Sequence, residues 1–113
     1  MKMRLGDIAH ARSGDKGASA NIGVIARKPE GFTVLQQHLT SPRVEAFFKH
    51  LGVSRVTRYE LPNLGALNFI LYDILDGGGS LSLRIDAQGK ALGQQLLEME
   101  LDLPDNEAKG LNQ

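Results

Sequence analysis

Apolar and polar residues alternate most regularly in two segments near the C-terminus. In Leu81–Ile85 and Met99–Leu103 every second residue is apolar, and the residues between are serine or charged. A period of two gives a strand one buried and one wetter face, so both segments are predicted to be strands. Between them, a helix capped by Asp86 is predicted. Three leucines of this helix are directed inward: Leu92, Leu96 and Leu97.

Helical spacing is clearest after Ser41. Ser41 is a suitable cap, Pro42 fits the first helical position, and Gly52 supplies a left-handed stop. The apolar stripe of this helix consists of Val44, Phe47, Phe48 and Leu51. A shorter helical turn is predicted just before it, from Phe32 to Leu39.

The middle of the chain predicts a strand followed by a helix. Val53–Leu61 is β-prone, with Thr57, Tyr59 and Leu61 on one face, and Pro62 ends it. Apolar residues then recur at helical spacing from Leu64 to Leu75, until Gly77-Gly78-Gly79 breaks the pattern. The residues that carry this spacing are Leu64, Leu67, Leu71, Ile74 and Leu75.

At the N-terminal end, Leu5–Ala11 and Asn21–Arg27 are predicted to be strands around a polar loop, Arg12–Ala20. The predicted order is therefore β-β-α-β-α-β-α-β. Helices interleaved with strands that have one apolar face indicate an α+β sandwich, ferredoxin-like, with a mostly antiparallel sheet covered by helices on one face. Residues 1–104 form a single predicted domain. Residues 105–113 form a polar C-terminal tail that is expected to fray, since only Ala108 and Leu111 are apolar.

Composition narrows the function classes. The 113-residue chain balances 13 basic against 13 acidic residues and has no Trp, so nucleic-acid binding is not expected. It has no Cys, which excludes disulfides and thiolate metal sites. No apolar run approaches the roughly 20 residues that cross a bilayer. Met1–Arg4 is basic without an apolar segment behind it, so no secretory signal is predicted and the cytoplasm is the expected location.

The densest group of special residues lies between Ala11 and Asn21. Its two glycines free the backbone, so N–H groups are able to converge on an anion, with Arg12 or Lys16 adding charge. The alternative is a solvated turn, because Gly-Asp-Lys-Gly is ordinary turn chemistry. The candidate ligand-binding residues here are Arg12, Ser13, Gly14, Asp15, Lys16, Gly17 and Asn21.

Two further groups contribute candidates. Gly78 and Arg84 lie in a glycine-rich segment that indicates either close backbone approach to a ligand or a flexible connection. This segment is predicted to pack beside Arg12–Asn21 in one concave polar surface. Asn63 is explained as a helix cap, whereas Asn68, in apolar company, needs a hydrogen-bonding partner or a ligand.

Residues for acid–base chemistry are few. His10, His38 and His50 are dispersed without a metal-binding spacing, so no metal site and no cofactor are predicted. His10 precedes the polar loop Arg12–Ala20 and is the candidate general base, with Asp15 as the second candidate.

Taken in order, three groups of motifs resemble the AtuA-like domain of the acyclic terpene utilisation family. The residues that carry the resemblance are Arg12 to Gly17, Asn21 to Gly23, Arg58 to Asn63, Ala66 to Phe69, Gly77 to Gly79, Ser82 to Arg84, Asp86, Gly89 and Lys90. The resemblance runs from about Leu5 to Leu103. It implies a ferredoxin-like fold and a link to bacterial degradation of acyclic terpenes and branched acids as coenzyme A esters. In that family the domain commonly follows a larger N-terminal region, and some members are short separate chains.

Two functions follow as hypotheses from the residues and the resemblance. The first is a non-catalytic or site-completing subunit that acts with a larger acyclic-terpene-utilisation chain. The second is a small hydratase, isomerase or lyase acting on an acyl-CoA, with His10 or Asp15 as base. A homo-oligomer, a dimer or higher, is also predicted. The reason is that a sheet covered on one side leaves a second face open, where Val56 and Ile8 are expected to contribute apolar surface.

Overall fold

A computed structural model describes residues 1–74, 90–109 and 111. The strands are β1 (Lys2–Arg4), β2 (Ala9–Lys16), β3 (Ser19–Ala26), β4 (Arg55–Leu61), β5 (Ala66–Tyr72) and β6 (Glu100–Asp102). The helices are α1 (Pro29–His38), α2 (Ser41–Phe48), α3 (Lys90–Leu96) and α4 (Asp105–Lys109). The described residues also include 3-10 turns at Leu5–Asp7, Lys49–Leu51 and Pro62–Leu64.

Within the described residues, the main sheet has four strands in the order β2-β3-β5-β4, and every neighbouring pair is antiparallel. β2 and β3 form a hairpin, in which Lys16 pairs with Ser19 around the turn Gly17-Ala18. Gly17 has a φ of +65°, which suits the first central position of a tight hairpin turn. β1 and β6 form a separate two-stranded antiparallel sheet near the chain ends, with Met3 opposite Leu101.

One face of the main sheet carries the core. Ile22, Phe69 and Leu71 are buried on this face. Helices α1, α2 and α3 add their apolar residues to the same cluster: Val34, Leu35, Val44, Phe48, Leu92 and Leu96. The arrangement is therefore an α+β, ferredoxin-like fold with helices on one face of an antiparallel sheet, as the residue pattern predicts.

Small residues allow α3 to lie close to β2. A Cβ atom added at Gly93 would come within 3.2 Å of Ser13 Oγ and 3.4 Å of Ala11 Cβ. The backbone N–H of Gly93 donates a hydrogen bond to Ser13 Oγ at 3.0 Å. Helix and strand are thus joined by close packing and by a hydrogen bond across the layer.

The helix predicted for Leu64–Leu75 is wrong. Ala66–Tyr72 is strand β5, where Leu67, Phe69 and Leu71 are buried and the residues between them are half-exposed. β5 pairs with β3 on one side and β4 on the other, so backbone hydrogen bonds to distant segments determine its conformation. The helical spacing of its leucines is compatible with this alternation and does not by itself distinguish the two structures.

The polar loop predicted for Arg12–Ala20 is also wrong, because most of it extends the two strands. Only Gly17 and Ala18 form the turn.

Among the helices, α1 is a full helix of 10 residues where a shorter turn is predicted. α2 begins at Ser41 as predicted, but its cap is Thr40, whose Oγ1 accepts a hydrogen bond from the Arg43 N–H.

Several predictions at the C-terminal end are tested by the described residues and others are not. Met99, Leu101 and Leu103 are buried with exposed residues between them, which confirms the predicted alternation there. Asp105–Lys109 is helical, and both Ala108 and Leu111 are buried, so this segment is packed and not frayed.

Two predicted features, strand Leu81–Ile85 and the Gly77–Gly79 break, lie outside the described residues, as does Asp86. Within the described ranges, no helix is long and apolar enough to span a membrane.

Candidate functional site

The candidate site is the face of the main sheet opposite the helices, the open face. No described helix or strand packs on it. Two rows of side chains cross its four strands in register. The first row is Arg12, Gly23, Asn68 and Tyr59, and the second is Gly14, Asn21, Ile70 and Thr57.

Four of the residues predicted to bind a ligand meet on this face. Arg12 and Asn68 lie in the first row, on either side of Gly23, and Gly14 and Asn21 are neighbours in the second. The Asn21 side chain lies over Gly14, because a Cβ atom added there would be 3.3 Å from Asn21 Oδ1. Asn68 is half-exposed between glycine and tyrosine, so its amide is not enclosed by apolar side chains as its sequence neighbours suggest.

The other residues of the Arg12–Asn21 group have different positions. Ser13 and Asp15 are on the opposite side of β2, where Ser13 accepts the hydrogen bond from Gly93 and Asp15 is exposed. Lys16 ends β2, and Gly17 forms the turn. Successive N–H groups of a strand point in alternate directions, so they do not converge on an anion as a loop would allow. Anion binding by Arg12 stays a prediction, and Gly78 and Arg84 lie outside the described residues.

The two candidate bases do not converge either. His10 is exposed on the open face, whereas Asp15 belongs to the other face of the same strand. His10 Nε2 lies 3.2 Å from Arg27 Nη1. A guanidinium only donates, so Nε2 accepts this hydrogen bond and the ring proton of a neutral imidazole is on Nδ1. The second guanidinium nitrogen of Arg27 donates to the Gly6 carbonyl at 3.2 Å.

An apolar cavity of about 290 Å³ opens on the open face. Gly23 and Asn68 form part of its wall, together with Ile25, Leu61, Leu64 and Ala66. Ala66 has Ile25 and Leu61 on either side in register, so the cavity lies at the end of the sheet where β3 ends and β5 begins.

A second cavity of about 380 Å³ lies beyond this end of the sheet, beside the first turn of α1. It is lined by Arg27 and Lys28, by Pro29 and Phe32 of α1, and by the Pro62–Leu64 turn. This turn is held in place by Gly65, whose carbonyl accepts from the Ala26 N–H at 2.9 Å and whose φ is +59°. Leu64 lines both cavities and is 68% exposed.

Four residues that line these cavities are not among the site residues predicted from the sequence: Gly23, Arg27, Lys28 and Leu64. Gly23 lies between the alternating apolar residues Ile22, Val24 and Ala26, at a position where a polar or small residue is expected. The sequence pattern therefore gives no reason to single it out. The spacing of Leu64 predicts a helix, but the residue lies in the Pro62–Leu64 turn, where its side chain is exposed. Over the described part of the chain, no group of three or more His, Asp or Glu residues is arranged to hold a metal ion.

Comparison with known proteins identifies the family. The model of the AtuA ferredoxin-like domain matches residues 3–102, which is most of the chain. The chain therefore belongs to the AtuA ferredoxin-like domain family. No curated protein and no solved structure matches it.

Proposed function

We propose that this member of the AtuA ferredoxin-like family is a non-catalytic, site-completing subunit in the cytoplasmic breakdown of branched or acyclic-terpene acids as coenzyme A esters. In this proposal, the open face docks on a larger acyclic-terpene-utilisation chain. The observation that carries the proposal is the group of exposed apolar side chains on and beside that face.

The exposed apolar residues are concentrated at one end of the open face. Tyr59 and Leu61 on β4 are 50% and 41% exposed, and Leu64 in the following turn is 68% exposed. Ile25 lies across the sheet from Leu61, with Ala66 between them. Apolar groups clustered in this way on a soluble domain typically mark an interaction surface. Tyrosine is also among the residues enriched at the energetic centre of protein interfaces.

The family supports the choice of partner. AtuA-like domains commonly adjoin a larger region in the same protein, and an adjoining domain needs a surface complementary to it. A polar rim of Arg12, Asn21 and Asn68 beside the apolar group fits an interface that also contacts polar groups of a substrate. The subunit role is therefore preferred to an independent enzyme.

The proposal is tested by mixing the purified chain with a larger AtuA-family chain from the same source and measuring complex mass and affinity. We expect a complex, and we expect Tyr59→Ser with Leu61→Ser to weaken it by more than about tenfold. The matched control is Glu45→Ser with Lys49→Ser, two exposed positions on α2 and the 3-10 turn after it, which should leave the affinity unchanged.

Turnover of a branched enoyl-CoA separates the two functions. The subunit role predicts turnover by the complex and none by this chain alone. Turnover by the purified chain alone, or a complex that tolerates Tyr59→Ser with Leu61→Ser, contradicts the proposal.

A further inference from the structure

We propose that the two cavities joined at Leu64 form one binding groove for an aliphatic anion, with its apolar tail against Gly23 and its charged end beside Arg27 and Lys28. The groove belongs to the isolated chain, so the proposal holds whether or not a larger partner exists.

Gly23 is the first reason. A glycine inside a strand costs stability, and it is kept where a bend, a bulge or a close approach requires it. Gly23 does not have a positive φ, and it pairs regularly with Arg12 and Asn68. A Cβ atom added there would have only one neighbour within 4 Å, the Arg12 carbonyl oxygen at 3.9 Å. The fold therefore has room for a side chain at this position, and its absence keeps the cavity open.

The apolar cavity has the composition that an aliphatic tail needs. Ile25, Leu61, Leu64 and Ala66 supply hydrocarbon walls, and the Asn68 amide is the polar side chain among them. Its volume of about 290 Å³ is near the lower end of known small-molecule sites, which are mostly apolar with few polar groups. One amide beside a hydrocarbon wall suits a carbonyl oxygen on the tail, since the amide N–H group donates a hydrogen bond.

The second cavity has the charge that an anion needs. Arg27 and Lys28 line it, and no acidic residue is found in its described wall. The Arg27 guanidinium donates to His10 and to the Gly6 carbonyl, and neither of these contacts is with a carboxylate that would neutralise its charge. Lys28 is the N-cap residue of α1, and its side chain makes no capping hydrogen bond. Cations are unfavourable at the positive end of a helix, so helix stability does not account for this residue. The nearest acidic residue of α1, Glu30, lines a different cavity with Thr33 and Val34.

Leu64 connects the two ends. It contributes to both cavities and is well exposed, so a bound molecule is able to pass over it without displacing core residues. An apolar pocket beside a cationic one selects a molecule with a hydrocarbon tail and an anionic group, and disfavours a purely apolar or a purely ionic one. A free fatty acid and an acyl-CoA share this chemistry, because the anionic group is the carboxylate in the first and the phosphates of coenzyme A in the second.

Binding is measured by NMR titration with octanoate, using octanol and acetate to separate the tail from the charge, and octanoyl-CoA to distinguish the thioester from the free acid. We expect octanoate or octanoyl-CoA to shift the amide signals of Ile25, Ala66 and Asn68. Octanol and acetate should each bind at least about tenfold more weakly than octanoate. Whichever of octanoate and octanoyl-CoA binds more tightly identifies the natural form of the ligand.

Two variants test the two ends separately. Gly23→Val fills the apolar cavity and should weaken both octanoate and octanol by about tenfold or more, whereas Thr57→Val, on the same face but outside the cavity, should not. Arg27→Gln with Lys28→Gln should weaken octanoate and leave octanol unchanged, and Lys49→Gln is its control. Equal binding of octanoate and octanol by the natural chain, no binding of octanoate and octanoyl-CoA, or unchanged binding by Gly23→Val would each overturn the proposal. None of these outcomes bears on whether the chain docks on a larger partner.

Discussion

Arg58 shows how one side chain joins two elements of this fold. It lies on the helix side of β4, and its Nη1 donates to the carbonyls of Gln36 and Leu39, both at 3.0 Å. Its Nη2 contacts Glu60 at 2.9 Å. The last carbonyls of a helix have no partner within the helix, so this guanidinium satisfies the end of α1.

Arg58→Met is expected to destabilise the chain by about 1–3 kcal/mol, because it leaves two carbonyls without this donor and only 21% of the Arg58 side chain is exposed. The free energy of unfolding in urea measures the effect. Arg43→Met is the control: Arg43 donates to the His38 carbonyl at 3.2 Å from an exposed position, and its loss should cost about 0.5 kcal/mol or less. Equal effects of the two substitutions would contradict the role given to Arg58.

Ser13 is predicted to be structural although it belongs to the group of residues first associated with a ligand. Ser13→Ala removes the acceptor for the Gly93 N–H and should cost about 1–3 kcal/mol of unfolding free energy. Octanoate affinity should be unchanged, because Ser13 lies on the helix side of β2. A loss of affinity without a loss of stability would show instead that Ser13 contacts the ligand.

At the scale of elements, β5 provides the sharpest test of the fold. Leu67→Ala should destabilise the chain by about 2–5 kcal/mol, because Leu67 is fully buried against the helices. Asn68→Val, one residue further, should leave stability unchanged or raise it by up to about 1 kcal/mol, since valine suits a half-exposed strand position. Urea unfolding of the two variants checks the alternation. A large loss of stability in Asn68→Val would contradict it.

Strands β6 and β5 show where prediction from the sequence succeeds and where it fails. Met99–Leu103 is predicted correctly because its alternation is strict and has no helical interpretation. In and just before β5, Leu64, Leu67 and Leu71 fit helical spacing, and only the distant pairing of Phe69 with Ile22 and Arg58 favours the strand. Pairing between segments far apart in sequence is not visible in local periodicity.

The candidate site, like the fold, is only partly predictable from the sequence. Arg12, Gly14, Asn21 and Asn68 share the open face, and their residue types alone were enough to single them out. Their grouping depends on the register of three strands, which the sequence does not specify. Val56 and Ile8, expected on the second face, are buried in the core instead, because β4 directs Val56 toward the helices and Ile8 precedes β2. The apolar part of the open face comes from Ile25, Tyr59 and Leu61.

At the scale of the whole molecule, the C-terminal segment completes the core. The family match ends at residue 102, yet Ala108 and Leu111 are buried beyond it. Leu111 approaches Gly31 of α1, where an added Cβ atom would be 3.8 Å from Leu111 Cδ2. His38 Nε2 at the end of α1 also lies 3.0 Å from a carboxylate oxygen of Glu107.

Removing residues 105–113 is therefore expected to lower the free energy of unfolding by at least about 2 kcal/mol, the scale of one buried leucine. Leu111→Ser should cause most of this loss by itself. Urea unfolding of both variants measures it, with Asn106→Ser as an exposed control on α4. A truncated chain as stable as the natural one would show that the segment contributes nothing to the core.

The last prediction concerns self-association. Without a larger partner, the open face still exposes Ile25, Tyr59, Leu61 and Leu64 to water. Burying them between two copies is the simplest way to remove this apolar surface, and a two-fold dimer is the commonest result of such contacts. We therefore expect light scattering at micromolar concentration to give the mass of a dimer. Tyr59→Ser with Leu61→Ser should give a monomer, whereas Glu45→Ser with Lys49→Ser should not. A natural chain that is monomeric at these concentrations would contradict self-association and leave the open face to the larger partner.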